Sequence, residues 1–226
     1  MEDRWIMNYD LFSRCWPLLW QGAQMSVLLL VFSAFLSFAL GLVFGVFSCN
    51  RLRIPIVSEG IEAITFIYRA VPFYVQLLLL YFCLPDLLGW NLQPFQASVL
   101  SLGMCSSGYV AHIVRSGMNS IPAAQWEASF SLGYGRWKSL QAIIFPQMFR
   151  NALPAFTNEL DSLLKSSAIV SSIGLLEITR AGMNLVSREL EPVPIYLLVA
   201  LWYLCLSAIF NAFMRILERK MRLCYL

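Results

Sequence analysis

Charge is what this sequence has least of. Only 13% of its 226 residues are Asp, Glu, Lys or Arg, against about 25% in an ordinary soluble domain. A soluble fold needs a charged shell, and this chain falls short of one by roughly half. With 59% apolar residues, the composition implies an integral membrane protein. Histidine occurs once, at His112, so a metal site built on imidazoles is not expected. The six cysteines, at 15, 49, 83, 105, 205 and 224, include no pair with the close spacing of a zinc or redox motif. Most sit in apolar runs, where cysteine acts as a small hydrophobe. The net charge of +3 is too weak and too scattered for a nucleic-acid partner. Internal repeats and low-complexity stretches are missing. So is any G-x-x-x-x-G-K-[ST] run that would cradle a nucleotide phosphate.

Long apolar runs are what the chain has. A bilayer core takes about 20 apolar residues per helix. Five segments meet that length, over about 23–47, 60–84, 95–114, 149–173 and 193–214. The first is long, and no small-residue cleavage site follows it, so it reads as a span and not as a leader peptide. The second contains Pro72, with Arg69 one turn before it, and a kink is expected there. The fourth carries Glu159, Asp161 and Lys165. Five crossings put the two ends of the chain on opposite sides. With the N-terminus outside, the inner segments hold Arg51, Arg53, Arg115, Arg136, Lys138, Arg150, Arg215, Arg219, Lys220 and Arg222. The outer segments hold only Arg4, Arg14, Arg180 and Arg188. That asymmetry places the C-terminus in the cytoplasm. Trp5, Trp16, Trp20 and Trp90 then fall near outer span ends, as interface anchors do.

Between the third and fourth spans lies the stretch SIPAAQWEASFSLGYGRW, from Ser120. It predicts a short cytoplasmic helix over about 121–133. Ser120 is the expected N-cap, Pro122 fits the first turn, and Gly133 and Gly135 suit the end. Trp126, Phe130 and Tyr134 share a face by their i, i+4, i+8 spacing, which Trp137 would extend. Ala123, Ala124, Glu127, Ala128 and Ser131 form a neighbouring face of small residues with one carboxylate. Such a helix is built either to dock another protein closely or to lie on lipid as an amphipathic helix.

The motifs carry a resemblance. Ala124-Gln125-Trp126-Glu127-Ala128-Ser129, then Leu132-Gly133, resembles the EAA signature of ATP-binding-cassette permeases. Ile143 to Gln147, around Pro146, matches the downstream part. Tyr68-Arg69-Ala70-Val71-Pro72, then Val75-Gln76-Leu77, is similar to a segment of the polar amino-acid uptake permeases. So are Gly108 to Met118, around Tyr109 and Arg115, and Leu153 to Ala168, with Asn158 and Lys165 in register. The resemblance covers about residues 18–217. The chain departs from the pattern at Ala124, Ser129, His112, Ala70-Val71 and Ser166. It implies an all-α membrane protein with the type I ABC importer permease fold, five transmembrane helices and a cytoplasmic coupling helix. The implied activity is passage of polar amino acids, with no catalysis and no cofactor in this chain. ATP and magnesium would belong to a cytoplasmic ATPase dimer docked on Ala124, Glu127, Ala128, Ser129 and Gly133. The other implied partners are a second permease subunit and an extracytoplasmic amino-acid-binding protein. The implied location is the plasma membrane of a prokaryote, the inner one in a Gram-negative cell. Arg69, Pro72, Arg115 and Pro146 are the structural motif positions.

In the fourth span, Asn158, Asp161 and Lys165 fall on one helical stripe at i, i+3 and i+7. Ionisable groups in a membrane face protein or water. The stripe is therefore a candidate substrate pathway, or a structural ion pair between Asp161 and Lys165 that locks the span in place. On the pathway reading both charges of an amino acid find a partner, and a carboxylate there favours basic over acidic substrates. Glu159 points elsewhere, with Arg69 or Arg115 as its expected partner. Two rival functions remain. One is an ion- or proton-coupled secondary transporter working through Asp161, although such proteins often show internal repeats and more spans. The other is a membrane enzyme or scaffold, for which the sequence offers no catalytic cluster.

Overall fold

The computed structural model describes residues 9–223. Arg4 and Trp5, read above as outer-side residues, lie outside them. The described chain is all-α. Its helices are α1 (Tyr9–Phe47), α2 (Pro55–Ala70), α3 (Phe73–Leu88), α4 (Pro94–Asn119), α5 (Ala123–Ser131), α6 (Arg136–Ile173), α7 (Ile178–Glu189) and α8 (Pro192–Leu223). In hydrocarbon no water is present to satisfy backbone groups, so an apolar run must bond to itself as a helix. Three helices, α1, α4 and α8, are each long and apolar enough to cross a membrane. The number rises to five if α2 with α3, and α6 with α7, each count as one span.

The second span is broken, where the sequence predicts a bend. The helix stops at Ala70, Val71 is extended (φ −81°, ψ 125°), and a new helix starts at Phe73. Pro72 accounts for this. Its ring crowds the residue before it out of the α region. Pro85 and Pro146 are absorbed without a break by another route. Pro85 follows a π-helical turn at Leu79–Cys83, and Pro146 follows one at Leu140–Ile144. In each case the carbonyl four residues back, which the ring would strike in a regular helix, lies inside the widened turn.

Contacts divide the chain into two compact units, to which α1, α4, α6 and α8 all contribute. One contains Ala34–Pro72, Gly103–Leu160 and the segment from Phe213. Its core joins Trp126, Met118, Ile144, Met148 and Phe156. Here α1 lies against α4 through a stripe of small residues, Ser37, Gly41 and Gly45. A Cβ on Gly41 would meet Val110 at 2.5 Å, and one on Gly45 would meet Val114 at 2.5 Å. Small residues at four-residue spacing permit this approach of two backbones in a membrane.

The other unit contains Phe73–Leu102, Asp161–Ala212 and the described residues up to Ser33. Its core sets Leu11, Cys15, Leu19 and Ala23 of α1 against Ile178, Ala181 and Leu185 of α7, and Ile195, Leu198 and Val199 of α8. Beside it Trp16, Trp20 and Trp202 form an aromatic cluster with centroids 5.0–6.4 Å apart.

Candidate functional site: the α5 surface and the polar face of α6

The α5 helix begins two residues later than its sequence suggests. Ser120 Oγ donates to the Gly117 carbonyl at 2.8 Å, so it closes α4 and does not cap α5. Pro122 occupies the N-cap position with no side-chain cap. The far end is a Schellman turn. Gly133 N–H donates to Phe130 O at 2.9 Å, and Tyr134 N–H to Ser129 O at 3.1 Å. Gly133 sits at φ +80°, where a side chain would be strained.

One aromatic holds the helix to the body. Trp126 is 2% exposed, while Phe130, 6.2 Å away between ring centres, is 41% exposed. The expected shared aromatic face is therefore divided between core and solvent. Ser129 differs from its expected docking role. It is fully buried, and its Oγ lies 2.7 Å from both Trp126 O and Ser139 Oγ, which ties α5 to the start of α6. The small-residue face carries Ala123, Ala124, Glu127, Ala128, Ser131 and Leu132, with Gly133 exposed at its end, and Gln125 and Phe130 are exposed beside it. It is a smooth patch with one carboxylate and one leucine, and four residues of it belong to the predicted docking set.

The motif residue Arg115 ties α4 to α2, while Arg69 bonds within α2. Arg115 pairs with Glu62 at 3.2 Å, and Arg69 Nε donates to Thr65 O at 3.3 Å. Gly108 makes room for the Arg69 stem, since a Cβ there would lie 3.0 Å from its Cγ. With His112 these groups line a polar cavity of about 20 Å³. Glu159 meets neither arginine, contrary to expectation. It accepts from Ser106 Oγ at 2.7 Å, and Ser37 Oγ donates to Ser106 at 2.9 Å. The geometric reason is that Ser106, on α4, lies between Glu159 and the small-residue stripe of α1.

The polar stripe of α6 resolves into an inward and an outward part. Asp161 is half-buried and tied to Lys165, to Ser207 Oγ and to Asn211 Nδ2, the last at 3.1 Å. It joins α6 to α8. Lys165 keeps 62% of its side chain exposed. Asn151, Pro154, Ala155, Asn158, Ser162 and Lys165 form one exposed face of α6. From Asn151 to Lys165 that face carries no large apolar side chain, although the helix belongs to a candidate span, and the exposed Ile169 follows one turn on. The sequence reading missed Glu177, which is fully buried. Its carboxylate caps α7, accepting from Thr179 N at 2.8 Å and Arg180 N at 2.7 Å, and it accepts from Tyr203 OH at 2.7 Å. The available signal was a glycine, Gly174, followed by an acidic residue at a helix start.

An all-helical chain with three to five candidate spans and a short exposed helix between two of them fits one class, the membrane-embedded subunits. The chain belongs to the family described as the binding-protein-dependent transport system inner membrane component, whose model matches residues 37–223. It is 32% identical over 206 residues to the arginine transport system permease protein ArtQ of Bacillus subtilis, covering 91% of this chain and 93% of that one. It is 28% identical over 229 residues to the glutamine transport system permease protein GlnP of Escherichia coli K12, covering 96% of this chain and all of that one. Among solved structures it is similar to an amino acid ABC transporter with histidines, at a TM-score of 0.86 and 30% identity, covering 95% of this chain and 99% of that chain. The chain is thus a membrane-embedded permease subunit with the type I ABC importer permease fold.

Proposed function

We propose that this chain is the pore subunit of an ATP-driven importer of polar amino acids, and that it docks a separate ATPase through α5. The carrying observation is the outward face of α5. Its small residues admit a neighbouring backbone closely, Glu127 supplies one directional contact, and the helix is fixed from behind by Trp126 and Ser129. Trp126 turns in and fixes the helix to the body, while Phe130 and Leu132 stay exposed beside the small residues. Ala124, Glu127, Ala128 and Gly133 make the docking contacts. Ser129 sets the helix angle. The partner ATPase dimer carries ATP and magnesium.

The exposed polar face of α6 supports a second permease subunit, because polar groups at membrane depth must face protein or water. Asn158 and Lys165 line the pathway on this reading, and Lys165 receives the substrate carboxylate. Asp161 holds Lys165 in place and is committed to α8. An extracytoplasmic binding protein delivers the substrate, the N-terminus lies outside, and the C-terminus lies in the cytoplasm. Within the class, basic amino acids are supported by the likeness to an arginine system permease and not by Asp161, which is committed to α8.

The test is purification of the complex and reconstitution with its binding protein. Glu127→Lys is expected to abolish co-purification of the ATPase, and labelled amino acids to accumulate only with ATP. Uptake driven by a proton gradient without ATP would overturn the proposal in favour of a secondary transporter.

A further inference from the structure

Between Lys165 and Glu177 the chain forms a 3₁₀ helix over Ser167–Ile173, seven residues long. Such helices rarely exceed three or four residues, because their hydrogen bonds are poorer than those of an α-helix. A long one needs support from outside. Beyond it the chain turns at Gly174 (φ +83°) and is then clamped. The buried Glu177 carboxylate binds two amides of α7 and the hydroxyl of Tyr203 on α8. Thr179 Oγ1 adds a contact to the same hydroxyl at 3.1 Å. Gly22 of α1 presses on the backbone of Glu177 and Ile178, where a Cβ would sit at 3.0 Å. On the other side of the 3₁₀ segment, Asp161 ties α6 to Ser207, one turn along α8 from Tyr203. The segment is therefore held extended between two polar clamps on a single helix.

From this geometry we infer that Glu177 and Tyr203 are positioning residues for Lys165, acting through the 3₁₀ segment. The inference rests on the reading of Lys165 as a pathway residue. Seven residues rise about 14 Å as 3₁₀ and about 10.5 Å as α-helix, so relaxation would draw the end of α6 by about 3.5 Å. It would also rotate the Lys165 ammonium away from its present direction. Glu177 and Tyr203 touch no substrate on this view. They set where the cation stands.

Two measurements test the inference in the complete, reconstituted transporter. In a cysteine-free background, nitroxides at Ser162→Cys and Ser187→Cys, both exposed, report the span between α6 and α7. Tyr203→Phe, which keeps the ring and removes only the hydroxyl, is expected to shift that distance by about 3 Å, as is Glu177→Gln. An unchanged distance in Tyr203→Phe overturns the inference. The second measurement is uptake of radiolabelled arginine and glutamine. Tyr203→Phe is expected to raise KM about tenfold with little change in the maximal rate, and to add nothing in a Lys165→Met background. Equal effects in both backgrounds would mean a general structural role and would also overturn it. If Lys165→Met alone leaves KM unchanged, the pathway reading fails and this inference falls with it.

Discussion

At the scale of single residues, packing outweighs charge in this protein. Gly41 and Gly45 have no room for a side chain, because Val110 and Val114 stand where a Cβ would go. Gly45→Val is expected to force α1 from α4 and to cost about 1–3 kcal/mol, as overpacking does. The check is the thermal midpoint of the detergent-solubilised chain beside Gly60→Ala, a position where a Cβ meets nothing within 4 Å. The Glu62–Arg115 pair gives the contrast. Both side chains are about a third exposed (31% and 35%), so the pair contributes about 0.2–1 kcal/mol. Glu62→Gln should shift the same midpoint much less than Gly45→Val. Neither glycine was singled out from the sequence. A glycine in an apolar run has many uses, and only the neighbouring helix shows which one applies.

At the scale of elements, α5 was legible and its orientation was not. Its length follows from Pro122 at one end and Gly133 at the other, both local backbone effects. The Schellman turn makes Gly133 a sensitive position. Gly133→Val would place a β-branched residue at φ +80°, costing about 1–2 kcal/mol. We expect it to fray the end of α5 and weaken ATPase retention on a size-exclusion column, with Gly135→Val, outside the left-handed region, much milder. Ser129 stands third in the EAA signature, a docking position by resemblance, yet it is interior. Sequence spacing says which residues share a helix face, whereas Ser139 and Trp126 decide which face turns in. The two π turns were equally invisible, although each precedes a proline. A proline in a helix admits a kink, a break or a widened turn. At Pro72 the chain broke, and at Pro85 and Pro146 it widened.

At the scale of the whole molecule, the prediction is topological. A single cysteine at Ser131, which is exposed, should react with a membrane-impermeant maleimide in inside-out vesicles and not in intact spheroplasts. Of the native thiols on that loop side, Cys49 should stay silent. It is buried, its Sγ–H donates to Asn119 Oδ1 at 3.4 Å, and burial pushes its thiol above the usual range. Labelling from the outer face would reverse the orientation and with it the docking reading of α5.

The sequence alone determined the medium and the family. Both are additive properties. Hydrocarbon selects long uncharged helices wherever they fall, and family motifs are read along the chain without any fold. Tertiary structure decided what each polar group in those helices is for. Asp161 faces α8, Lys165 faces out, Glu159 meets Ser106 instead of an arginine, and Glu177 is buried under Tyr203. A buried polar group needs a partner, and that partner lay 26 to 53 residues away in sequence. No local pattern reports a contact at that range, because it exists only once the helices have packed.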